Sequence, residues 1–225
     1  MTARTSRLAR LDATTVYLVV TPDAHGPAWM EALRLALDTG LVGMVQLREK
    51  TADDATVLRR AADLRRLLDP FDALLILNDR VDLVREAGAD GVHVGEADLP
   101  PEEARERIGE AHLLGVSTHD EQEVAGARGR GADHAGLGPC FESTSKALER
   151  EAGGSELVRR CLPPAGSMPV FPIGGVTPSN IGRLAAAGAR RAAVGAGILE
   201  ADDVAAAVRK IHRALSGHVE SDAGC

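Results

Sequence analysis

Eight short apolar runs alternate with amphipathic segments along this chain, and no other feature limits the possible folds so strongly. The runs have the length and composition of buried strands; in chain order they are VYLVVT, GMVQLR, LLILND, GVHVG, HLLGVST, HAGLGP, PVFPIGG and RAAVGA. The segments between them carry apolar residues at the i, i+3, i+4 spacing of helices. Strands that alternate with helices form parallel sheets, so the pattern predicts an α/β fold, a single (β/α)₈ TIM barrel.

The helical pattern occurs in seven segments: PAWMEALRLALD, DDATVLRRAADLRRLL, RVDLVREAG, PPEEARERI, DEQEVAGARGRG, TPSNIGRLAAAGA and DDVAAAVRKIHRAL. Gly88, Gly131 and Gly188 each follow such a segment and precede a strand, as glycines that end helices do. The interval ESTSKALEREAGGSELVRRCL begins as a loop and is predicted to become helical near Ser155. An open doubly wound sheet is the alternative fold, but no GxGxxG fingerprint follows the first strand.

The domain organisation follows from length and composition. The chain has 225 residues, of which 44% are hydrophobic, enough for a large core. We predict one barrel domain over residues 1–215. The last ten residues, SGHVESDAGC, are small and polar and are predicted to be a disordered tail.

Charge and cysteine content exclude several classes of protein. The formal net charge is −7 and no long basic run is present, which argues against a nucleic-acid partner. No apolar stretch approaches the roughly 18 residues of a membrane span, and the first residues lack an apolar signal core, so we expect a cytoplasmic protein with no membrane partner. Cys140, Cys161 and Cys225 show no CxxC pairing, which favours reduced thiols. The oligomeric state stays open.

Three polar residues alternate at the end of the second strand. Gln46, Arg48 and Lys50 are two apart, so their side chains point to the same face, while Glu49 points elsewhere. Two cations and an amide at the end of a buried strand are typical of an anion site. We favour that interpretation over a solvated surface.

Polar and glycine residues also follow the other strands. In a parallel barrel the carboxyl ends of all strands meet at one rim, where the chemistry of such folds is found. The residues at this rim are Asn78, Asp79, Asp98, Ser117, Thr118, His119, Ser143, Ser145, Lys146, Gly174, Gly175, Gly195, Ala196 and Gly197. The glycine turns suit a phosphate, the cations suit a second anion, and Asp79 and Asp98 could hold Mg²⁺. This set predicts phosphorylated small-molecule substrates, either joined to each other or losing pyrophosphate.

Several of these residues also have a purely structural interpretation. Asp79 and Asp98 each precede a predicted helix and could cap it. For Asp120 with Glu123 we prefer a capping box, and for Thr177-Pro178 the start of a helix. His119 is ambiguous, because a lone histidine beside a helix start is more often a hydrogen-bonded polar group than a base. The other histidines show no metal-ligand spacing.

The blocks YLVVTPD, QLREK, LNDRVDLVREAGADGVHVGEADLP, LGVSTHDEQEV, LGPCFESTSK and PIGGVTPSNIGRLAAAGARRAAVGAGI resemble the thiamine phosphate synthase family over nearly the whole chain. The resemblance implies a (β/α)₈ transferase of thiamine biosynthesis with Mg²⁺ as cofactor. It would join 4-amino-2-methyl-5-hydroxymethylpyrimidine diphosphate to a thiazole phosphate, giving thiamine phosphate and pyrophosphate.

The resemblance also implies roles for single residues. The pyrimidine-diphosphate site would comprise Gln46, Leu47, Arg48, Glu49, Lys50, Asn78, Ser117 and Lys146. Of these, Arg48, Lys50, Ser117 and Lys146 would be catalytic. The Mg²⁺ ligands would be Asp79 and Asp98. The thiazole-phosphate site would comprise Ser143, Thr144, Ser145, Gly175, Gly195 and Ala196.

Two departures from the family pattern affect the thiazole-phosphate site. Glu142 stands where the family commonly has proline in Pro-Thr-x-Thr-Lys, and Gly195-Ala196 stands where it usually has Val-Ser. The carboxylation state and identity of the thiazole substrate therefore stay open. Two other functions also remain: a thiazole tautomerase of the related barrel family, with His119 as its acid-base group, and a non-catalytic binding protein for a thiamine precursor.

Overall fold

All eight predicted strands are present in the computed structural model, which describes residues 2–26, 28–142 and 151–217. The strands are β1 (Val16–Val20), β2 (Val42–Leu47), β3 (Leu74–Asn78), β4 (Gly91–Val94), β5 (Leu113–Thr118), β6 (His134–Leu137), β7 (Val170–Pro172) and β8 (Ala192–Val194). Each hydrogen-bonded pair is parallel, in the order β7-β6-β5-β4-β3-β2-β1-β8, and β7 approaches β8. The predicted TIM barrel is confirmed as a nearly closed one.

Helices lie between and around the strands. They are α1 (Ala3–Ala13), α2 (Trp29–Leu37), α3 (Asp54–Leu68), α4 (Pro101–Ile108), α5 (Glu121–Ala127), α6 (Gly154–Cys161), α7 (Ile181–Ala185), α8 (Ala196–Leu199) and α9 (Val204–Ser216). Aspartate side chains cap three of them: Asp53, Asp120 and Asp203 accept hydrogen bonds from main-chain N–H groups in the first turns of α3, α5 and α9. No helix in the described ranges is long and apolar enough to cross a membrane.

The prediction of a helix near Ser155 is confirmed by α6, which begins at Gly154. The segment before it, residues 143–150, lies outside the described residues. So does most of the predicted tail, from residue 218 onward.

The helix predicted for RVDLVREAG is absent, and this prediction was wrong. Residues 81–88 form successive turns instead. At their start, the N–H groups of Arg80 and Val81 donate to carbonyls two residues back, at 2.7 and 2.8 Å, so a regular first helical turn cannot start there. The irregular backbone at this start, where Asp79 has a φ of 61°, therefore overrides the apolar spacing in this segment.

The helix predicted to begin at Thr177-Pro178 starts later, at Ile181. The side chain of Asn180 explains the delay, because it accepts from the Thr177 N–H at 2.8 Å and donates to the Gly175 carbonyl at 2.8 Å. These two bonds stabilise an irregular turn immediately after β7.

The N-terminal helix α1 has no counterpart among the predicted elements, and it covers the amino ends of the strands. Leu11 of this helix is buried against the barrel interior together with Tyr17. Arg7 and Arg10 reach Asp90, at the start of β4, at 2.9 and 3.1 Å. Because α1 closes one end of the barrel, the carboxyl ends of the strands form the end that remains accessible.

Side chains of the strands divide into two layers, as the pleat of a sheet requires. In β2, Met44 belongs to the barrel interior, whereas Val45 and Leu47 pack in the layer between the strands and the helices. The same alternation continues past the strand end and determines where the next polar side chains point.

Candidate active site

The polar residues at the end of β2 follow the predicted alternation. Gln46 is 4% exposed and lies inside the barrel, where its Nε2 donates to the Tyr17 hydroxyl at 2.6 Å. Arg48 is half-buried, and the side chain of Lys50 is exposed and contacts Asp79. Among the described residues the Arg48 guanidinium has no hydrogen-bond or ion-pair partner, so it is available to an anion at this rim.

Leu47 and Glu49 belong to the same segment, but their side chains point away from this rim. Leu47 is buried in the outer hydrophobic layer, and the buried Glu49 carboxylate pairs with Arg60 of α3. Any contact that these two residues make with a substrate must therefore come from their main chain.

Asp79 and Asp98 come together from neighbouring strands. Asp79 follows β3 and Asp98 lies in the turn after β4, yet their carboxyl groups are close enough to share a hydrogen bond. Asp79 Oδ2 also contacts Lys50 and accepts from Asn78 Nδ2 at 2.5 Å, and Asp98 Oδ2 accepts from the Gly95 N–H at 2.9 Å. Neither aspartate caps a helix, because residues 81–88 are turns and α4 has no side-chain cap.

The backbone of Asp79 has an unusual conformation that directs its carboxylate. Its φ of 61° lies in the left-handed region, which residues other than glycine seldom adopt, aspartate and asparagine more readily than the rest. The Asp79 N–H donates to the His93 carbonyl at 2.8 Å, which continues the β3–β4 pairing by one residue. An uncommon backbone conformation of this kind at a strand end is typical of a functional position.

Burial and the shared contact shift the pKa values of the two aspartates in opposite directions. Burial raises the pKa of Asp79, and the hydrogen bond with Asp98 adds to this, although Lys50 acts against both. Burial also acts to raise the pKa of Asp98, but the hydrogen bonds from Asp79 and from the Gly95 N–H outweigh it and lower that pKa. The two carboxyl groups therefore hold one proton between them more readily than isolated carboxyl groups do.

This pair suits a hard divalent cation that takes most of its ligands from a substrate. Mg²⁺ needs six oxygen ligands and is commonly held by one or two carboxylates together with phosphate oxygens and water. In the part of the chain that the structure describes, no group of three or more His, Cys, Asp or Glu could hold a metal ion. Asp79 and Asp98 therefore fit a Mg²⁺ that arrives with a phosphorylated substrate, and do not form a closed structural site.

Ser117 lies next to this pair and is positioned by a buried histidine. His93 Nε2 is 3.1 Å from Ser117 Oγ. Ser117 and Asp98 both lie close to Gly95, since a Cβ added to that glycine would be 2.8 Å from Asp98 Oδ2 and 4.0 Å from Ser117 Oγ. Burial lowers the pKa of His93 to about 4, only partly offset by the nearby Asp98 charge. His93 is thus a neutral ring that orients the serine hydroxyl. Metal-ligand spacing does not single out this histidine, but its inward-facing position on β4 was a signal that could have identified it.

The loops after β6, β7 and β8 pack closely against one another. Gly175 has a φ of 58°, and an added Cβ there would lie 2.1 Å from the Glu142 carbonyl. A Cβ added to Gly197 would similarly lie 2.3 Å from the Val176 carbonyl oxygen. These glycines allow the main chains to approach each other where a phosphate is predicted to bind. Gly195 and Ala196, also predicted for this site, lie directly after β8, where α8 begins. Four further predicted residues lie outside the described residues: Ser143, Thr144, Ser145 and Lys146.

His119 is held by a local contact at the start of α5. Its main-chain N–H and its Nδ1 lie 2.7 and 2.9 Å from Glu123 Oε2, and the Asp120 side chain accepts from the Glu123 N–H at 2.8 Å. The predicted capping role of Asp120 is confirmed, but Glu123 reaches back to His119 and not to the main chain of Asp120. This arrangement orients the His119 ring along the helix start.

Comparisons with known proteins agree with this barrel and with one another. A family model described as thiamine monophosphate synthase matches residues 16–198. The thiamine-phosphate synthase of Thermosynechococcus vestitus is 40% identical over 213 residues, which is 94% of this chain and 58% of that protein. The thiamine-phosphate synthase of Caldicellulosiruptor bescii is 33% identical over 198 residues, covering 88% of this chain and 90% of that protein. The chain thus spans little more than half the length of the first of these relatives.

A solved structure is similar over almost its full length. Thiamine phosphate pyrophosphorylase from Pyrococcus furiosus superimposes with a TM-score of 0.80 at 28% sequence identity. The superposition covers 93% of this chain and 98% of that one. The arrangement of strands and helices found here is therefore shared with that structure.

Proposed function

The chain belongs to the thiamine monophosphate synthase family, and from this premise we propose that it joins 4-amino-2-methyl-5-hydroxymethylpyrimidine diphosphate to 4-methyl-5-(2-phosphoethyl)thiazole, or to its carboxylate. The products are thiamine phosphate and pyrophosphate, and the carboxylate as second substrate would also release carbon dioxide. The observation that carries the proposal is the contact of Lys50 with the paired carboxyl groups of Asp79 and Asp98, at the rim where Arg48 directly follows β2. Cations and a carboxylate pair in this arrangement suit a departing pyrophosphate.

Departure of pyrophosphate is the step that these charges assist. The bond between the pyrimidine methylene carbon and the diphosphate oxygen breaks, and the electron pair leaves with pyrophosphate. Arg48 and Lys50 stabilise the negative charge that develops on the leaving group, together with Lys146, which lies outside the described residues. A Mg²⁺ held by Asp79 and Asp98 would supply further positive charge to the same oxygens.

The pyrimidine ring is held by neutral polar groups inside the rim. In the described orientation Gln46 donates its amide N–H to Tyr17, so its carbonyl oxygen stays available to the amino group of the pyrimidine. The Ser117 hydroxyl, oriented by His93, supplies a second hydrogen-bonding group. Asn78 is buried and contacts Asp79, which links the ring site to the carboxylate pair.

The second half of the reaction needs position more than acid-base chemistry. The electron-rich aminopyrimidine supports a positive charge on its methylene carbon, and the thiazole nitrogen donates its lone pair to that carbon. No protein nucleophile takes part, so the described side chains act by orienting the substrates and stabilising charge. The thiazole phosphate is proposed to lie on the main chain of Gly175, Gly195 and Ala196, with Ser143, Thr144 and Ser145 completing the site.

The decisive experiment incubates the purified chain with both substrates and follows thiamine phosphate by chromatography, with Mg²⁺ or with excess chelator. We expect product only with the metal. Absence of product from folded protein would refute the synthase assignment. Isomerisation of the thiazole carboxylate phosphate without joining, lost in His119→Ala, would identify a tautomerase, and tight precursor binding without turnover would identify a binding protein.

A further inference from the structure

A buried imidazole nitrogen faces the turn that follows β8. His25 lies in the loop between β1 and α2; its side chain is 4% exposed, and its Nδ1 is 2.9 Å from Glu200 Oε1. The other ring nitrogen, Nε2, is buried without a hydrogen-bond partner among the described residues. A Cβ added to Gly195 would lie 4.0 Å from this Nε2. The unpartnered nitrogen is therefore directed at Gly195.

The contact with Glu200 determines what the free nitrogen can do. Because Nδ1 faces a carboxylate, it carries the ring proton, and Nε2 then presents a lone pair in the neutral ring or an N–H in the imidazolium. Buried polar atoms normally have a partner, so a group that both accepts and donates hydrogen bonds would complete this site. A phosphate monoester has this chemistry, because its oxygens accept from an imidazolium and its hydroxyl form donates to a neutral ring.

The turn itself lacks a polar side chain that could do this work. Gly195, Ala196 and Gly197 offer a phosphate only main-chain N–H groups, and none of them carries charge. His25 is the imidazole beside Gly195, and a Cβ added to that glycine would come to 4.0 Å from Nε2. The half-exposed Glu200 contacts Nδ1, so Nε2 is the ring nitrogen left for the turn.

We propose that His25 is a further phosphate-binding residue for the second substrate, with Glu200 as the positioning residue that orients its ring. This inference rests on the proposed function, in which the thiazole phosphate lies on the turn after β8. Because β8 lies between β7 and β1 in the barrel, His25 would hold the phosphate from the side opposite to the loop after β7. It would act on binding of the thiazole phosphate and not on the pyrimidine diphosphate.

The test combines binding and kinetics of the full chain. Calorimetry would measure the affinity of wild type, His25→Ala, His25→Gln and Glu200→Gln for 4-methyl-5-(2-phosphoethyl)thiazole and for the same thiazole alcohol without phosphate. The matched control is His212→Ala, which removes a histidine from α9. Steady-state kinetics would give KM for each substrate separately, and circular dichroism would verify folding.

We expect His25→Ala to weaken binding of the thiazole phosphate by about tenfold or more, the effect of losing a hydrogen bond to a charged group. The alcohol should bind all variants equally, and KM for the pyrimidine diphosphate should not change. His25→Gln, whose amide nitrogen can occupy the position of Nε2, should recover part of the affinity, and Glu200→Gln should give an intermediate loss.

Three outcomes separate this inference from the proposed function. If wild type forms thiamine phosphate and His25→Ala binds the thiazole phosphate as tightly as wild type does, the role of His25 is overturned and the proposed function stands. Wild type that binds the thiazole phosphate through His25 but forms no product would support the role of His25 and refute the synthase activity. Wild type with no affinity for the thiazole phosphate would overturn both.

Discussion

The carboxyl groups of Asp79 and Asp98 lie within hydrogen-bonding reach of each other, because the parallel pairing of β3 with β4 brings the ends of these two strands together. A divalent cation between them would balance the negative charge of two adjacent carboxylates. We therefore expect Asp79→Asn and Asp98→Asn each to lower kcat/KM for thiamine phosphate formation by about a hundredfold or more. Asparagine is the appropriate replacement at position 79 because it tolerates the left-handed backbone.

The measurement is a Mg²⁺ titration of initial rates for both variants. Asp82→Asn is the matched control, because Asp82 is nearby but exposed and paired with Arg80. Wild-type rates and an unchanged Mg²⁺ requirement in both variants at positions 79 and 98 would exclude the pair as the metal site.

Arg48 offers a separate test of the anion site. Its guanidinium has no partner within the described ranges, whereas Lys50 already contacts Asp79. We expect Arg48→Gln to raise KM for the pyrimidine diphosphate by about tenfold or more, because a charged hydrogen-bonding partner is lost. Kinetics with each substrate varied in turn would check this, with the exposed Arg59→Gln on α3 as control. An equal rise in both KM values would contradict a specific role for Arg48.

The inward direction of the polar residues that end β2 could be predicted from sequence, because the two-residue period of a strand depends only on local geometry. The absence of a helix at residues 81–88 could not, because it follows from the irregular backbone at Asp79 and Arg80, which the apolar spacing does not reveal. His25 was missed for another reason: its partner, Glu200, is 175 residues away in the chain. Contacts of this length appear only when the barrel closes.

His93 shows that part of the missed information was present in the sequence. Val92 and Val94 pack in the outer layer, so the residue between them must face the interior. The alternation that identified Gln46 therefore also applied to β4. What the sequence could not supply was the distance from His93 to Ser117, because these residues belong to different strands.

The buried imidazole of His134 predicts an effect on stability. Both of its ring nitrogens lack partners among the described residues, and the ring packs edge-on against Tyr17 and Phe171 with centroid distances of 5.9 and 5.8 Å. Phenylalanine would keep this packing and remove the two unpartnered nitrogens. We expect His134→Phe to raise the free energy of unfolding at neutral pH by about 1–3 kcal/mol.

The same substitution should make the free energy of unfolding less dependent on pH in mild acid. Burial, together with the neighbouring His93, lowers the pKa of His134 well below its usual value of 6.5. As pH falls below that value, the unfolded chain binds a proton that the folded chain does not, so the free energy of unfolding decreases. His134→Phe should remove up to about 1.4 kcal/mol per pH unit of this slope. Urea unfolding between about pH 7 and 5 measures it, and a slope equal to that of wild type would contradict the prediction.

Asp90 stabilises the closed end of the barrel, away from the rim. The buried carboxylate accepts from the Leu75 N–H at 3.0 Å and pairs with Arg7, Arg10 and Arg65 at 2.9, 3.1 and 2.9 Å. Burial acts to raise its pKa, but the Leu75 N–H and Arg7 outweigh it, and the pKa is lowered. We expect Asp90→Asn to lower the free energy of unfolding by about 3 kcal/mol, because three arginines lose their shared anion.

Asp72→Asn is the matched control, since Asp72 pairs with the same Arg10 but its side chain is 82% exposed, and an exposed pair contributes about 1 kcal/mol at most. Because the pKa of Asp90 is lowered on folding, its contribution is present above about pH 4 and is lost as pH falls further. The difference between wild type and Asp90→Asn in urea unfolding should therefore be constant from about pH 7 to 5 and shrink in stronger acid. KM for both substrates should stay unchanged, because Asp90 lies at the amino ends of the strands; a change in either KM would show that the closed end of the barrel influences the rim.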